Sequence, residues 1–349
     1  MSLGATILTD LQGEYPSQFD RQEWRREQYG FVDSAIEQTE STMSILSTDV
    51  IEKAKMSEGR PLEIPVLDYK DVTITNARTC DVQPFENDSS MVTLTWKTIV
   101  ADISMNPQEY KNNVIKYQED LLKKLTAVSR SMLKVIDQDI QVAVDAQKAQ
   151  FFNSTFVGAG NKYPLNLGAV SASQAQKQML FNDLDAIQDA DDFDTTEMQF
   201  IGNIEWKSLV REFINQGNNN GVNTSWEFDP FKFHFSKRVP QNAGSEMTGY
   251  YMPTGTLGFL TRLDGMADMG YTSTKGHEWF AGVLPEFPFE VGFKFDSDCD
   301  DLSSVQSHMT ASAIEKWQIS LDYAICLPYF SGDIATTPRS VKKVEVTIA

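Results

Sequence analysis

From Asn106 to Phe152 apolar residues recur at helical spacing, with no Gly or Pro after Pro107. One row runs Val114, Leu121, Leu125, Val128, Met132, Val135 and Val142, and a flanking row runs Ile115, Leu122, Leu133, Ile136, Ile140 and Ala143. Asn106 suits a helix N-cap, Pro107 the first helical position and Glu109 the capping-box position. Continuous to Phe152, the helix would extend roughly 65 Å at 1.5 Å per residue. The first row approaches a heptad seam, but Gln118 and Asp139 interrupt it and the second row widens the stripe. Packing on a sheet is therefore favoured over a coiled coil.

Strand patterning precedes this helix. Gly59-Arg60-Pro61 signals a turn, Leu62 to Leu67 alternates, and Val72-Thr73-Ile74 resumes the alternation. Past a polar tip at Glu86 to Ser90, Met91 to Met105 alternates with Val92, Leu94, Trp96, Thr98 and Val100 on one face. A single strand of that length would reach about 50 Å, so a long two-stranded excursion is predicted. Such a hairpin is marginal in water and needs a partner surface. Residues 1–50 carry little aliphatic content, and their aromatics include Trp24, Tyr29 and Phe31. They are expected to form an arm that lies on another surface, with these three as anchors.

Beyond Gly158-Ala159-Gly160 the pattern mixes helix and strand. Helices are predicted over Ala172 to Ala190 and Ile204 to Ile214, and strands over Met198 to Ile201 and Phe231 to Phe235, with a short element at Gly255 to Leu260 and a loop over 264–277. Phe287, Phe289, Val291, Phe293 and Phe295 alternate, and Pro285 and Pro288 place that strand at a sheet edge. Trp317 to Ile325 and Val344 to Ile348 complete the strands, and no internal repeat is present. The fold class is α+β.

Composition narrows the function classes. At 41% hydrophobic and 23% charged the chain is of ordinary globular type, and no apolar run nears bilayer length. Neither a secretion leader nor a membrane anchor is expected at its start. The net charge of −19 argues against a specific nucleic-acid binder. Cys80, Cys299 and Cys326 are too scattered for a disulfide framework or zinc knuckle, and His234, His277 and His308 have no second ligand at metal spacing.

Catalytic motifs are missing as well. No phosphate loop, dinucleotide fingerprint, zinc-protease motif or nucleophile elbow occurs. Asp296 to Asp301 begins like a calcium loop but places Asp301 where Gly is required and Ser307 where Glu is required, so a solvated acidic turn is favoured. The acidic run from Gln188 to Asp194 is read the same way. Trp206, Trp226, Trp279 and Trp317 are assigned to core or subunit contacts ahead of a ligand groove. No catalytic, cofactor-binding or metal-binding residue is assigned.

In this order, arm, β-excursion, long helix, α/β region and returning strands, the chain resembles the major capsid proteins of tailed bacteriophages, the Hong Kong 97 type of fold. Gly59 to Val66 looks like the outgoing strand of the extended E-loop β-hairpin, and Asn106-Pro107 looks like the head of the spine helix. Phe200-Ile201-Gly202-Asn203 looks like the axial (A) domain's strand-turn-helix, and Trp317 to Ala324 like a strand returning to the peripheral (P) domain. The resemblance implies an arm at 1–58, E-loop at 59–105, spine helix and P domain at 106–170, A domain at 171–275 and returning strands at 276–349. It implies a structural subunit, not an enzyme, with no cofactor, that self-assembles as hexamers and pentamers into an icosahedral shell. The shell would be built in the host cytoplasm and would enclose DNA without reading its sequence. Scaffolding, portal and decoration proteins are the other partners implied, with no membrane, and any scaffold would be a separate protein because the arm starts almost at once. Trp24, Tyr29, Phe31, Pro65, Lys70 and Trp96 are the residues expected at subunit contacts. Some members of that family link subunits covalently through a Lys and an Asn; Lys70 or Lys97 lies in the corresponding loop, and no local motif marks either as reactive. The alternatives are an encapsulin-like compartment of the same fold, told apart by its enzyme cargo, an acidic α+β enzyme, or an adhesin module.

Overall fold

The stripe at 106–152 does form the longest helix, but over a shorter span. In the computed structural model, residues 7–9, 28–42, 44, 46–56, 62–67, 89–106, 110, 116–148, 162–164, 174–189, 191–217, 227–228, 230–240, 247–273, 277–296, 314–328 and 339–347 are described. Helices α1 (Gly30–Glu40) and α2 (Thr48–Met56) precede strands β1 (Leu62–Leu67), β2 (Ser89–Leu94) and β3 (Lys97–Met105). Then come α3 (Tyr117–Gln147), β4 (Lys162–Pro164), α4 (Gln174–Asp189), β5 (Met198–Gly202), α5 (Trp206–Gly217), β6 (Glu227–Phe228), β7 (Phe231–Phe235), β8 (Met247–Pro253) and β9 (Gly258–Arg262). A one-turn helix α6 (Gly265–Asp268) and strands β10 (His277–Val283), β11 (Glu290–Asp296), β12 (Glu315–Cys326) and β13 (Lys342–Thr347) complete the order.

Helix α3 has 31 residues, about 46 Å. Its N-cap is Lys116, in extended conformation, and not Asn106. The aromatic pair Tyr110 and Tyr117 meets edge to face at 5.6 Å, and the Tyr110 hydroxyl donates to Asp120, so this contact accompanies the start of the helix. At the other end Lys148 turns extended and stops the helix short of Phe152. The buried stripe is also displaced. Leu121, Leu125, Met132, Leu133, Ile136, Ile140 and Val144 are buried, whereas Val135 and Val142 of the first row are exposed. A straight helix drifts about 20° per heptad, so a row at seven-residue spacing leaves the interface along its length. That drift is incompatible with a heptad seam and fits packing across sheets.

Two sheets flank α3. The first has the order β10-β11-β12-β3, with β9 also paired to β12. Strand β12 is its axis: β3 covers one edge, and β11 and then β9 share the other. Trp317, Ile319, Leu321 and Tyr323 alternate inward and are buried, with Phe295 at 4.7 Å from Trp317 and Phe280 stacked on Phe293. The expectation of an edge strand at 287–295 is corrected, since β11 lies between β10 and β12. Pro285 and Pro288 fall before β11 begins, so no ladder donor is lost.

The second sheet has the order β4-β13-β8-β5-β7-β6. Helices α4 and α5 cover one face through Leu180, Phe181, Leu184, Trp206 and Leu209, with Phe200 at 4.8 Å from Trp206. Ile201, Tyr250 and Met252 face the cluster that contains α3. Cover on both faces accounts for the unbroken burial of β5, in which Gln199 is enclosed too and meets His234 at 2.7 Å. Strand β9 joins the first sheet and β13 the second.

The segment expected as an arm is partly core. Phe31, Val32 and Ala35 of α1 are buried in the chain's own main cluster. A Cβ on Gly30 would lie 2.6 Å from the Phe235 carbonyl carbon, so Gly30 permits backbone contact with the end of β7. Gly30→Ala is expected to lower stability by about 1–3 kcal/mol in urea unfolding, because the obstacle is backbone. An unchanged midpoint would show that α1 is not packed this closely.

Candidate functional site

The alternating run Met91 to Met105 is not one strand. It breaks at Thr95-Trp96, and β2 pairs with β1 in a separate two-stranded ribbon while β3 enters the first sheet. The antiparallel register runs from Leu62 opposite Leu94 to Leu67 opposite Ser89. Val72 to Ile74, Lys70 and the polar tip lie outside the described residues. Met91 is 59% exposed, and the ribbon meets the rest of the chain at its Leu94 end.

That root is tightly organised. Asp322 of β12 lies opposite Thr98 on one side and Arg262 on the other. Both cross-strand neighbours use it: Thr98 Oγ1 donates to Oδ1 at 2.6 Å and Arg262 Nε to Oδ2 at 3.0 Å. The same guanidinium lies 4.2 Å from the Trp96 ring centre, a cation–π contact at the point where the ribbon leaves the sheet. Leu46, Ala54, Leu94, Leu260, Ala324 and Cys326 form the apolar floor, with Ile64 and Trp96 against it. Beside them Lys97 pairs with Asp139 of α3 at 2.9 Å, and the Tyr323 hydroxyl donates to the same carboxylate oxygen.

A second junction ties α1 to α3 and to the second sheet. Helix α1 has no side-chain cap of its own. Asp137, in the middle of α3, supplies one from a distance: its Oδ1 accepts the backbone N–H of Phe31 at 3.0 Å and of Val32 at 3.2 Å. Ser236, just after β7, donates its hydroxyl to Oδ2. Asp137 is wholly buried, and burial pushes its carboxyl up to about 6 against the opposing pull of these donors and of Arg238. A carboxylate at a helix N-terminus satisfies otherwise orphaned amides.

The sequence-predicted contact residues fall in different places. Tyr29 is half-buried, its hydroxyl reaching the Arg130 carbonyl and its ring lying 5.3 Å from the Arg238 guanidinium. Phe31 is fully buried by its own chain. Pro65 stands in β1 opposite Met91. Trp96 is half-buried in the ribbon root, and Trp24 and Lys70 lie outside the described residues. Asp137, Asp322 and Arg262 were not singled out by sequence. Only an acid on the apolar side of the α3 pattern could have marked the first of them.

The acidic runs are used internally where they are described. Lys342, itself buried, pairs with Asp191, and Asp194 accepts from the Thr196 amide at 2.9 Å. Asp296 faces His277 at 3.3 Å, and 297–301 lie outside the described residues. Trp206 and Trp317 are core. Among the described residues no cluster of three metal-ligating side chains occurs, and no helix is long and apolar enough to cross a membrane. Burial pushes the Cys326 thiol up to about 11, away from nucleophilic use.

By sequence the chain matches no family model, and no curated protein resembles it at a significant level. By structure it is similar to a chain of Mycobacterium phage Che8, with 10% identity, 94% of each chain covered and a TM-score of 0.51. It also aligns with a chain from the capsid structure of the cyanophage P-SCSP1u, at 9% identity, 84% of each chain and a TM-score of 0.48. A chain of Microbacterium phage Oxtober96 aligns at 10% identity, with 97% of this chain and 98% of that one covered and a TM-score of 0.48. At this identity the likeness is one of fold alone: the chain shares the fold of the Mycobacterium phage Che8 chain over 94% of its length.

Proposed function

We propose that the chain is the structural subunit of the icosahedral head shell of a tailed phage, assembling as hexamers and pentamers around packaged double-stranded DNA. The observation that carries this is the ribbon β1–β2, rigidly held at Trp96, Arg262 and Asp322 yet paired with no third strand of its own chain among the described residues. Two strands alone are marginal in water, and a neighbouring subunit supplies the missing surface. Tyr29, Pro65, Lys70 and Trp96, with Trp24, remain the proposed contacts, and many copies turn modest contacts into a closed container. Scaffolding, portal and decoration proteins are its proposed further partners, with assembly in the host cytoplasm. The fold shared with the Che8 phage chain supports this reading, and enzyme cargo inside purified shells in place of DNA would turn it toward an encapsulin.

Expression of the full chain, alone and with a candidate scaffold, followed by electron microscopy and light scattering, tests the proposal. Closed shells, hexamers or pentamers are expected, and a stable monomer under every condition would overturn it. Deleting residues 62–92 should leave folded subunits or capsomers that close no shell. Normal shells from the deletion would remove the role given to the ribbon.

A further inference from the structure

Helix α6 is a single turn pinned to the first sheet by one residue. Ala267 is buried, and a Cβ added to Gly292 of β11 would meet its methyl at 3.0 Å. In so short a helix one inward residue turns its neighbours out, and Met266 and Met269 are 43% and 77% exposed. Met56 ends α2 and is 84% exposed, while Ala54 of that helix is buried in one cluster with Leu260 of β9. Met56 and Met269 line one cleft of about 550 Å³, together with Arg262, Leu263, Asp268 and Glu290. Single exposed apolar side chains are ordinary, but two methionines this exposed on one cleft, with Met266 and Tyr271 exposed on the adjoining turn, make a patch.

The charge of this cleft is one-sided. Arg262 is already engaged, by Asp322 at 3.0 Å and by the Trp96 ring at 4.2 Å. Asp268 and Glu290 are exposed and have no ion pair among the described residues. None of the buried side-chain atoms without a hydrogen-bond partner belongs to the lining, so nothing there is set to orient a small polar molecule. Methionine is unbranched and polarizable, and it adapts to the shape of whatever apolar group it meets. We propose that the cleft receives an apolar side chain carried on a basic segment of a separate protein, whose lysines or arginines meet Asp268 and Glu290. A second copy of the chain is disfavoured as occupant, because each copy carries a net charge of −19 and like charges oppose close approach. The cleft belongs to the single subunit and does not require the proposed shell.

Fluorescence anisotropy of a labelled peptide, three repeats of Leu-Lys-Gln-Lys, with full-chain subunits tests this. Two further peptides, with glutamate in place of lysine or serine in place of leucine, should bind far more weakly. The double variant Asp268→Asn, Glu290→Gln should lose about tenfold in affinity and flatten its dependence on salt. Met56→Ser with Met269→Ser should also lose about tenfold, but with the salt dependence kept. All four side chains are exposed, so urea midpoints should stay at the wild-type value. The control Glu40→Gln, Glu205→Gln removes the same charge from other exposed positions and should bind as the wild type does. No binding of the leucine-lysine peptide, equal binding of the serine peptide, or equal loss in the control would overturn the proposal. Self-association of the chain that disappears in the cleft variants would overturn it in favour of a second copy. The measurement is made on subunits, so it stands whether or not shells form.

Discussion

Replacing Asp137 with alanine should cost about 3 kcal/mol of stability, whereas Asp137→Asn should be nearly neutral at pH 7. Alanine leaves the buried amides of Phe31 and Val32 and the Ser236 hydroxyl without their acceptor, and α1 loses its only described cap. Asparagine keeps an oxygen toward the amides and presents an amide to Ser236. The two substitutions also separate on a pH scale. Asp137 titrates at about 6 in the folded chain against an ordinary 3.8, so the folded state holds the proton more tightly. Its contribution is fully present below about pH 4 and is lost as pH rises through about 6. Relative to the asparagine variant, the wild type should therefore lose about 3 kcal/mol between pH 4 and pH 7. Urea midpoints of both proteins across that window measure the difference. Parallel profiles would show that the carboxylate is not buried as described.

Asp322→Ala should lower stability by about 2–3 kcal/mol and free the root of the ribbon. Arg262 and Asp322 are 13% and 19% exposed, so removing the carboxylate strands a guanidinium that water reaches poorly. The Trp96 stacking depends on that guanidinium, and Thr98 loses its acceptor. Faster proteolysis within 62–94 and poor shell closure are the expected readouts. A double-mutant cycle with Trp96→Ala should show coupling, since the two side chains meet through Arg262. Strict additivity would mean that the ribbon is held by its apolar floor alone.

Most of the elements were legible because they bury a face at a regular period. β5, β7, β12 and α4 lie where alternation or helical spacing placed them. Helix α3 starts at Tyr117, next to the contact of Tyr110 with Tyr117, and the capping sequence that follows Asn106 lies outside the described residues. The break at Trp96 was hidden because alternation continues smoothly through 91–105, and only the pairing of the two halves with different partners divides it. β8 and β10, with Gly249 and Gly282 inside them, gave little periodic signal. The ribbon was visible as a segment too long to stand alone. Its anchor was not, because Arg262 and Asp322 are 60 positions apart and look like any surface charge until the register brings them together.

The place of β13 has a consequence for how a subunit is made. It lies between β4 and β8, yet it is synthesised after every other strand of that sheet. While the ribosome is still at work, β4 lacks its parallel partner and β8 exposes one whole edge. Pairings so distant along the chain form slowly, because a long loop must close first. Completion of the second sheet is thus deferred until translation has passed residue 347.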